Sequence, residues 1–295
     1  MLYDLSHRTS YSYASPVDLA WHALHLRART LPFQTVHRSE IVSAPVASET
    51  REATDHFGNT VTYLVLKETH DAFIVEVRSR IEVAFPPIGD PARTPAWEAV
   101  RAALWGDGFP APVDASEFVH RSPLIAGHPE LLDYALPSFS PGRPMAEALI
   151  DLTRRIKLDF AYDPGATDLS TPLLQVLKQR RGVCQDFAHV QIGCLRSLGL
   201  AARYVSGYIR TRPRAGQEAL RGADASHAWV SAWCGPEAGW IDVDPTNDMV
   251  ASDQHVVLAW GRDFSDVSPV RGVILGGGHH TFGVAVDLKP VDSGA

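Results

Sequence analysis

Three cysteines stand in 295 residues, at Cys184, Cys194 and Cys234, and one occupies a place where a thiol can act as a nucleophile. In Arg181-Gly182-Val183-Cys184-Gln185-Asp186-Phe187 the glycine permits a sharp turn. The apolar period that follows, Phe187, Val190, Cys194 and Leu198, predicts a helix from about Cys184 to Leu198 with Gly199 at its end. A cysteine in the first turn lies among unpaired backbone N–H groups, at the positive end of the helix dipole. Both features favour the thiolate, and the same N–H groups can hold an oxyanion on an attacked carbonyl. Taken alone the signal is weak, because a cysteine is more often a small buried hydrophobe. Cys194 illustrates that ordinary case, on the apolar stripe in mid-helix. Cys234, beside Gly235-Pro236, is expected at a turn without a chemical role.

A base and its orienter come from the next apolar stretches. Ser226-His227-Ala228-Trp229-Val230-Ser231-Ala232-Trp233 and Trp240-Ile241-Asp242-Val243-Asp244-Pro245-Thr246-Asn247 read as two strands of a hairpin. If residues 234–237 form the loop, Trp233 faces Ala238 and His227 faces Asp244. Opposed residues hold their Cβ atoms about 4.5–5.5 Å apart, within reach of an imidazole–carboxylate hydrogen bond. Pairing His227 with Asp242 would instead set Pro236 in the ladder, where proline is disfavoured. The register therefore ranks Asp244 above Asp242, on an assumed loop length. A lone strand histidine is more often structural, and an aspartate before proline is often a turn residue. Their coincidence with a helix-start thiol assembles the nucleophile, base and orienter of thiol acyl transfer.

Other residues carry weaker signals. Trp229, Trp233 and Trp240 share faces of the hairpin and either line a substrate groove or pack beneath the sheet. Arg262, Asp263 and Asp266 either shape a cleft rim or form loop ion pairs. His189, one helical turn beyond Cys184, is either a support for the site or a packed helix residue. Gly276-Gly277-Gly278-His279-His280 lacks a partner spacing for metal or phosphate and reads as a turn before a terminal strand over Thr281–Leu288.

The elements that must position these groups follow from patterning. Alternation around Tyr3–Tyr13, Leu24–Ala28 and Phe73–Val83, with a hairpin turn at Gly58-Asn59, predicts a small antiparallel β-sandwich-like domain over residues 1–85. Residues 86–142, rich in Pro, Gly and Ser, are expected to form a partly helical connection, with helices near 95–105 and 130–134. Helices then start at Pro144 and at Thr171-Pro172, the second ending at Gly182, and strands follow at Ala202–Ile209, His227–Trp233 and Trp240–Asp244. Helices followed by strands make residues 143–295 an α+β domain.

Composition bounds the function. Apolar residues make up 45% and charged residues 21%, with a net charge of -7 and a pI of about 6.0, which disfavours nucleic acid or an anionic membrane as the main partner. The cysteines have no disulfide-framework or zinc-ligand spacing. Without a signal-peptide pattern or a membrane-spanning apolar run, the expected location is cytoplasmic.

Four ordered segments carry a family resemblance: Gly182-Val183-Cys184-Gln185-Asp186-Phe187-Ala188, Arg203-Tyr204-Val205-Ser206-Gly207-Tyr208, His227-Ala228-Trp229 and Asp244-Pro245-Thr246-Asn247. Together they resemble the core of bacterial transglutaminase-like proteins. Gly261–Pro269 continues the likeness, and His7-Arg8-Thr9-Ser10-Tyr11-Ser12-Tyr13 with Pro16-Val17 is similar to the β-rich leading region of those proteins. The likeness covers most of the chain and is weakest between about 86 and 142. It implies a papain-like fold and a Cys-His-Asp triad carried by Cys184, His227 and Asp244. It also implies no cofactor, and a peptide or protein amide as substrate. Reaction type within the superfamily ranges over cross-linking, proteolysis, amidase activity and loss of activity. The expected chemistry is acyl transfer on amides, with water as the favoured acceptor over an amine. Trp229, Trp240 and Arg262 are the expected substrate-binding residues. The competing readings are a silent peptide-binding or scaffold module, and a metal site on Cys184, His189 and His227 that lacks a recognised ligand spacing.

Overall fold

The computed structural model describes residues 1–210 and 225–291. The chain begins with five strands, β1 (Leu2–Leu24), β2 (Gln34–Ala44), β3 (Glu49–Thr54), β4 (Thr60–Leu66) and β5 (His70–Val83). Helices α1 (Trp97–Leu104), α2 (Val113–Glu117), α3 (Pro129–Ala135) and α4 (Met145–Asp159) follow. Next come β6 (Ala161–Tyr162), α5 (Leu173–Gln179), β7 (Arg181–Gly182), α6 (Cys184–Ser197) and β8 (Ala202–Ile209). The chain continues through β9 (Ala225–Trp233), β10 (Trp240–Asp244), β11 (Met249–Val250), β12 (His255–Gly261) and α7 (Phe264–Val267). It closes with β13 (Val270–Gly276) and β14 (His280–Val291). No described helix is long and apolar enough to cross a membrane.

The N-terminal half curls about one long strand. The first part of β1 pairs with β5 and β14; beyond an irregularity between Ser12 and Val17, its second part pairs with β4 and β13. Bending lets one strand serve two layers, giving the sandwich-like form that alternation predicts. Val17, Ala20 and Leu24 of the second part meet Leu64 and Leu66 of β4 and Phe73, Val75 and Val77 of β5 in a core of their own. Three features differ from expectation. The alternation over Leu24–Ala28 does not continue as a strand, because β1 ends at Leu24 and residues 25–30 are irregular. Strand β2 escapes the sequence reading because its side chains are mostly half-buried or exposed, so the apolar alternation is faint. More consequentially, β13 and β14 return to β1, from Leu24↔Val270 to Leu2↔Val291. The N-terminal sheet therefore includes residues from the stretch 143–295, and the division by sequence order does not follow the sheets.

The second sheet runs β11-β10-β9-β8-β12, all antiparallel. Helix α6 packs against β8 and β9, and α3, α4 and α5 cover it from outside. Its residues from Asp186 to Arg196 are all buried, so its apolar stripe widens into a fully enclosed helix. The main core draws Tyr3, Leu5, Ile81 and Val83 together with α1, α3, α4 and α6, so the two sheets share apolar packing.

Strand β12 lies at the edge of its sheet, where free backbone groups need partners. Two amide side chains from the N-terminal half supply them. Gln34 donates Nε2 to Val257 O at 2.8 Å and accepts Val257 N on Oε1 at 2.8 Å. Asn59 does the same for Trp260, donating to its O at 2.8 Å and accepting its N at 3.0 Å. Each amide acts as one rung of a missing strand.

Candidate active site

The helix that bears the thiol is fixed at its start. Val183 is the N-cap residue, and Asp186 in the first turn reaches back to accept its backbone N–H at 2.8 Å, half of a capping box. The same carboxylate accepts Thr167 Oγ1–H at 2.7 Å, tying the loop before α5 to the helix. A Cβ at Gly182 would collide with the Asp186 carboxyl, so glycine is required here for close approach. Cys184 is the half-buried residue at the first helical position. Cys194 and Cys234 are buried; burial pushes the Cys194 thiol up to about 12 and raises that of Cys234 as well.

His227 and Asp244 meet. Nε2 of His227 lies 2.7 Å from Oδ2 of Asp244, with both side chains buried. The route differs from the sequence argument. The ladder pairs Trp233 with Trp240 and Val230 with Val243, leaving residues 234–239 as the loop, two longer than assumed. Gly235 and Gly239, both at positive φ, make that longer loop possible. His227 consequently does not face Asp244 across the ladder; the two meet diagonally, two residues off register, within reach of long side chains. The same diagonal joins Trp229 Nε1–H to Asp242 Oδ2 at 2.9 Å.

The carboxylate of Asp244 is saturated with donors. Oδ1 accepts the backbone N–H of Thr246 at 2.9 Å and of Asn247 at 3.2 Å. Oδ2 accepts Asn247 Nδ2 at 2.7 Å as well as His227. Burial alone would raise the Asp244 pKa, but the hydrogen bonds from His227, His255 and Asn247 hold it well below the carboxylate range. His227 moves the opposite way. Burial pulls it down, yet the hydrogen bonds and charges of Asp244 and Cys184 outweigh that and raise it to about 10. Nε2 of His227 is thus committed to Asp244.

The three expected substrate-binding residues each have partners within the fold, and Trp229 has no exposed surface. Trp229 is wholly enclosed, packing with Val205 and Val257 against Leu31, Phe33 and Phe85. Its ring occupies the space that a side chain at 207 would take, which explains Gly207. Trp240 is half-buried, with the Arg203 guanidinium 4.1 Å from its ring centroid and Phe118 edge-on at 5.6 Å. Arg262 forms a two-point pair with Asp266, both contacts at 2.9 Å, and its carbonyl accepts Arg196 Nη2–H at 2.7 Å. Asp263 caps α7 through Ser265 N and holds Leu124 N, each at 2.8 Å. His189 accepts Phe264 N at 3.2 Å, and burial pushes its pKa down to about 4. Gly261–Pro269 is thus a clamp between β12, α6 and the connecting loop, and His189 is its anchor on the helix.

Two residues of the site escape sequence reasoning. Asn247 stands in the Asp-Pro-Thr-Asn segment but has no role there until the turn is seen. His255 opens an apolar strand, and its Nε2 lies 3.4 Å from Asp244 Oδ2. A single polar residue before Val256-Val257-Leu258-Ala259 is the signal that could have singled it out. His227, Asp244 and His255 also bring potential metal-ligand atoms within 4.8 Å of one another, but hydrogen bonding within the group accounts for that convergence. Beside the first turn of α6 opens a cavity of about 380 Å³, lined by Leu124, Leu169, Leu173, Leu174, Gln185 and His189 among others.

Comparison with known proteins finds two matching family models and several similar chains. A family model described as the bacterial transglutaminase-like N-terminal region matches residues 3–82, and one described as the transglutaminase-like superfamily matches residues 136–245. The uncharacterised protein Rv2569c of Mycobacterium tuberculosis is 39% identical over 307 residues, covering 99% of this chain and 94% of that one. A protein-glutamine gamma-glutamyltransferase of Pseudomonas aeruginosa is 32% identical over 125 residues, 36% of this chain and 18% of that protein. The crystal structure of a candidate cysteine protease from Cytophaga hutchinsonii shares the fold, with a TM-score of 0.76 at 20% identity, over 99% of this chain and 91% of that one.

Proposed function

Because the chain belongs to the transglutaminase-like superfamily and carries its bacterial N-terminal region, we propose that it performs thiol-dependent acyl transfer on amide bonds, with Cys184 as nucleophile, His227 as base and Asp244 as orienter. The observation that carries this reading is the buried 2.7 Å His227–Asp244 contact, in a fold that also sets Cys184 at the first position of a helix.

Sγ of Cys184 attacks the amide carbonyl carbon after its proton passes to Nδ1 of His227. The oxyanion accepts the Cys184 backbone N–H, which has no partner within the helix at this position. The C–N bond breaks as Nδ1 returns the proton to the leaving amine, and a thioester remains. Water, deprotonated by His227, releases a carboxylic acid; a primary amine in its place forms a new amide. We assign the side chain of the acyl donor to the cavity beside Gln185, where Leu124, Leu169, Leu173 and Leu174 stand among polar residues such as Asp168, Ser170 and His189. Hydrolysis of a peptide or isopeptide-type amide is the default outcome because water is always present. The stretch of likeness to a glutamine gamma-glutamyltransferase favours testing amines as well.

The test is labelling at neutral pH with limiting iodoacetamide, read by peptide mass spectrometry. Fast labelling confined to Cys184 in the wild type, lost in His227→Ala and slowed in Asp244→Asn, is the expected result. Slow and equal labelling in all three proteins would overturn the reading in favour of a silent binding module.

A further inference from the structure

His255 is fully buried, next to a carboxylate already supplied with four donors. Its Nδ1 accepts the backbone N–H of Ser252 at 3.2 Å, while its own backbone N–H donates to Ser252 O at 2.8 Å. An imidazole whose Nδ1 accepts must, when neutral, carry its proton on Nε2. That Nε2 is the atom facing Asp244 Oδ2, at 3.4 Å. The ring is held by Trp229, packed edge-on at 5.1 Å, and Trp229 is anchored through its own N–H to Asp242. The tautomer, the plane and the distance of this donor are therefore all set by groups outside the reaction. The ionisable groups in contact with it among the described residues are Asp244 and His227, the latter with ring centroids 6.3 Å apart.

We propose that His255 is a positioning residue for the acyl-transfer site, an Nε2–H donor that steadies the Asp244 carboxylate so that His227 keeps Nδ1 aimed at Cys184. The inference rests on the reading of Cys184, His227 and Asp244 given above. His255 approaches Oδ2 alongside Asn247, whose amide also comes within 3.5 Å of His227 Nε2. Without His255, Oδ2 answers only to His227 and Asn247 while Oδ1 keeps its two backbone donors, and the oxygen that faces His227 is held less tightly. The cost falls on the orientation and charge of His227 rather than on contact with substrate.

The experiment measures the iodoacetamide labelling rate of Cys184 between pH 4 and pH 9 in the wild type, His255→Phe and His255→Gln, with thermal unfolding of each. Phenylalanine keeps the ring and removes the donor; glutamine keeps an N–H donor. Loss of one hydrogen bond to a charged group predicts a roughly tenfold slower rate at neutral pH for His255→Phe. Its acid limb should move to higher pH, and His255→Gln should recover most of that loss. A purely structural role would lower the unfolding temperature of both variants and leave the pH profile of the folded protein where it was. That outcome, or a His255→Phe profile matching the wild type, overturns the inference. If His255→Phe does not fold, the nitrogen NMR spectrum of histidine-labelled wild type decides: a neutral His255 protonated on Nε2 supports the proposal, and protonation on Nδ1 refutes it. Slow wild-type labelling is a different result, counting against the acyl-transfer reading itself.

Discussion

Two histidines, one in each sheet, are almost equally hidden from water: His22 in β1 is 6% exposed and His227 in β9 is 7%. Their surroundings drive them apart. His22 stacks on Phe73 with ring centroids 4.3 Å apart, and neither of its ring nitrogens has a hydrogen-bond partner. Burial, with a smaller push from His70, lowers its pKa to about 4. His227 suffers the same desolvation, but a carboxylate at 2.7 Å and a thiol reverse the outcome and lift it to about 10. Burial by itself makes a histidine an aromatic core residue. A carboxylate fixed on one ring nitrogen is what sets His227 apart from His22.

The sharpest way to break this comparison is kinetic. Replacing His227 by alanine should lower acyl-transfer turnover by about 10²–10⁴-fold, the usual share of a general base. His22→Leu should change turnover less than about twofold, measured on the same amide substrate. A second test uses stability against pH, where the two residues have opposite signs. His22 has a depressed folded pKa, so the unfolded chain takes up its proton first as pH falls. Its share, about 3 kcal/mol for a shift from 6.5 to about 4, is lost between those two values. Urea titrations of His22→Leu should therefore show a flatter acid side than the wild type. His227 has a raised folded pKa, so its contribution is complete below 6.5 and is lost as pH rises towards about 10. His227→Gln should flatten the alkaline side.

Smaller effects probe the junction between the sheets. Gln34→Leu leaves the N–H and C=O of Val257 without their amide partner, and chemical denaturation should register a loss of about 2 kcal/mol. Arg262→Ala removes a partly exposed ion pair; it should cost less than about 1 kcal/mol and leave Cys184 labelling within about twofold. A large loss of labelling there would return Arg262 to the cleft rim.

Local signals in the chain carry far and then stop. The span of α6, the ends of β8 and β10 and the turn near Gly58-Asn59 follow from periodicity and turn residues, because each depends on neighbours within a few positions. The pairing of His227 with Asp244 was legible as a partnership but not as a register, since it hinges on whether Gly235 and Gly239 open a longer loop. Residues whose role depends on distant strands stayed hidden. His255 acquires a purpose only when β12 pairs with β8 and β8 with β9, and β13 and β14 find β1 across almost the whole chain. Trp229 stayed hidden for the same reason, because a tryptophan on a strand does not reveal what covers it.

The antiparallel pairing of β1 with β14, from Leu2↔Val291 to Tyr13↔His280, bears on the order of events at the ribosome. Strand β1 is made long before β14 and cannot acquire this neighbour until the residues from 280 to 291 have been added and released. Loop closure over such a span is slow, and β1 waits meanwhile with an unpaired edge. The helix carrying Cys184 is made well before that edge is sealed. Formation of the thiol-bearing helix and completion of the leading sheet are thus separated in time, and a nascent chain arrested before residue 270 would hold that helix beside a half-built sheet.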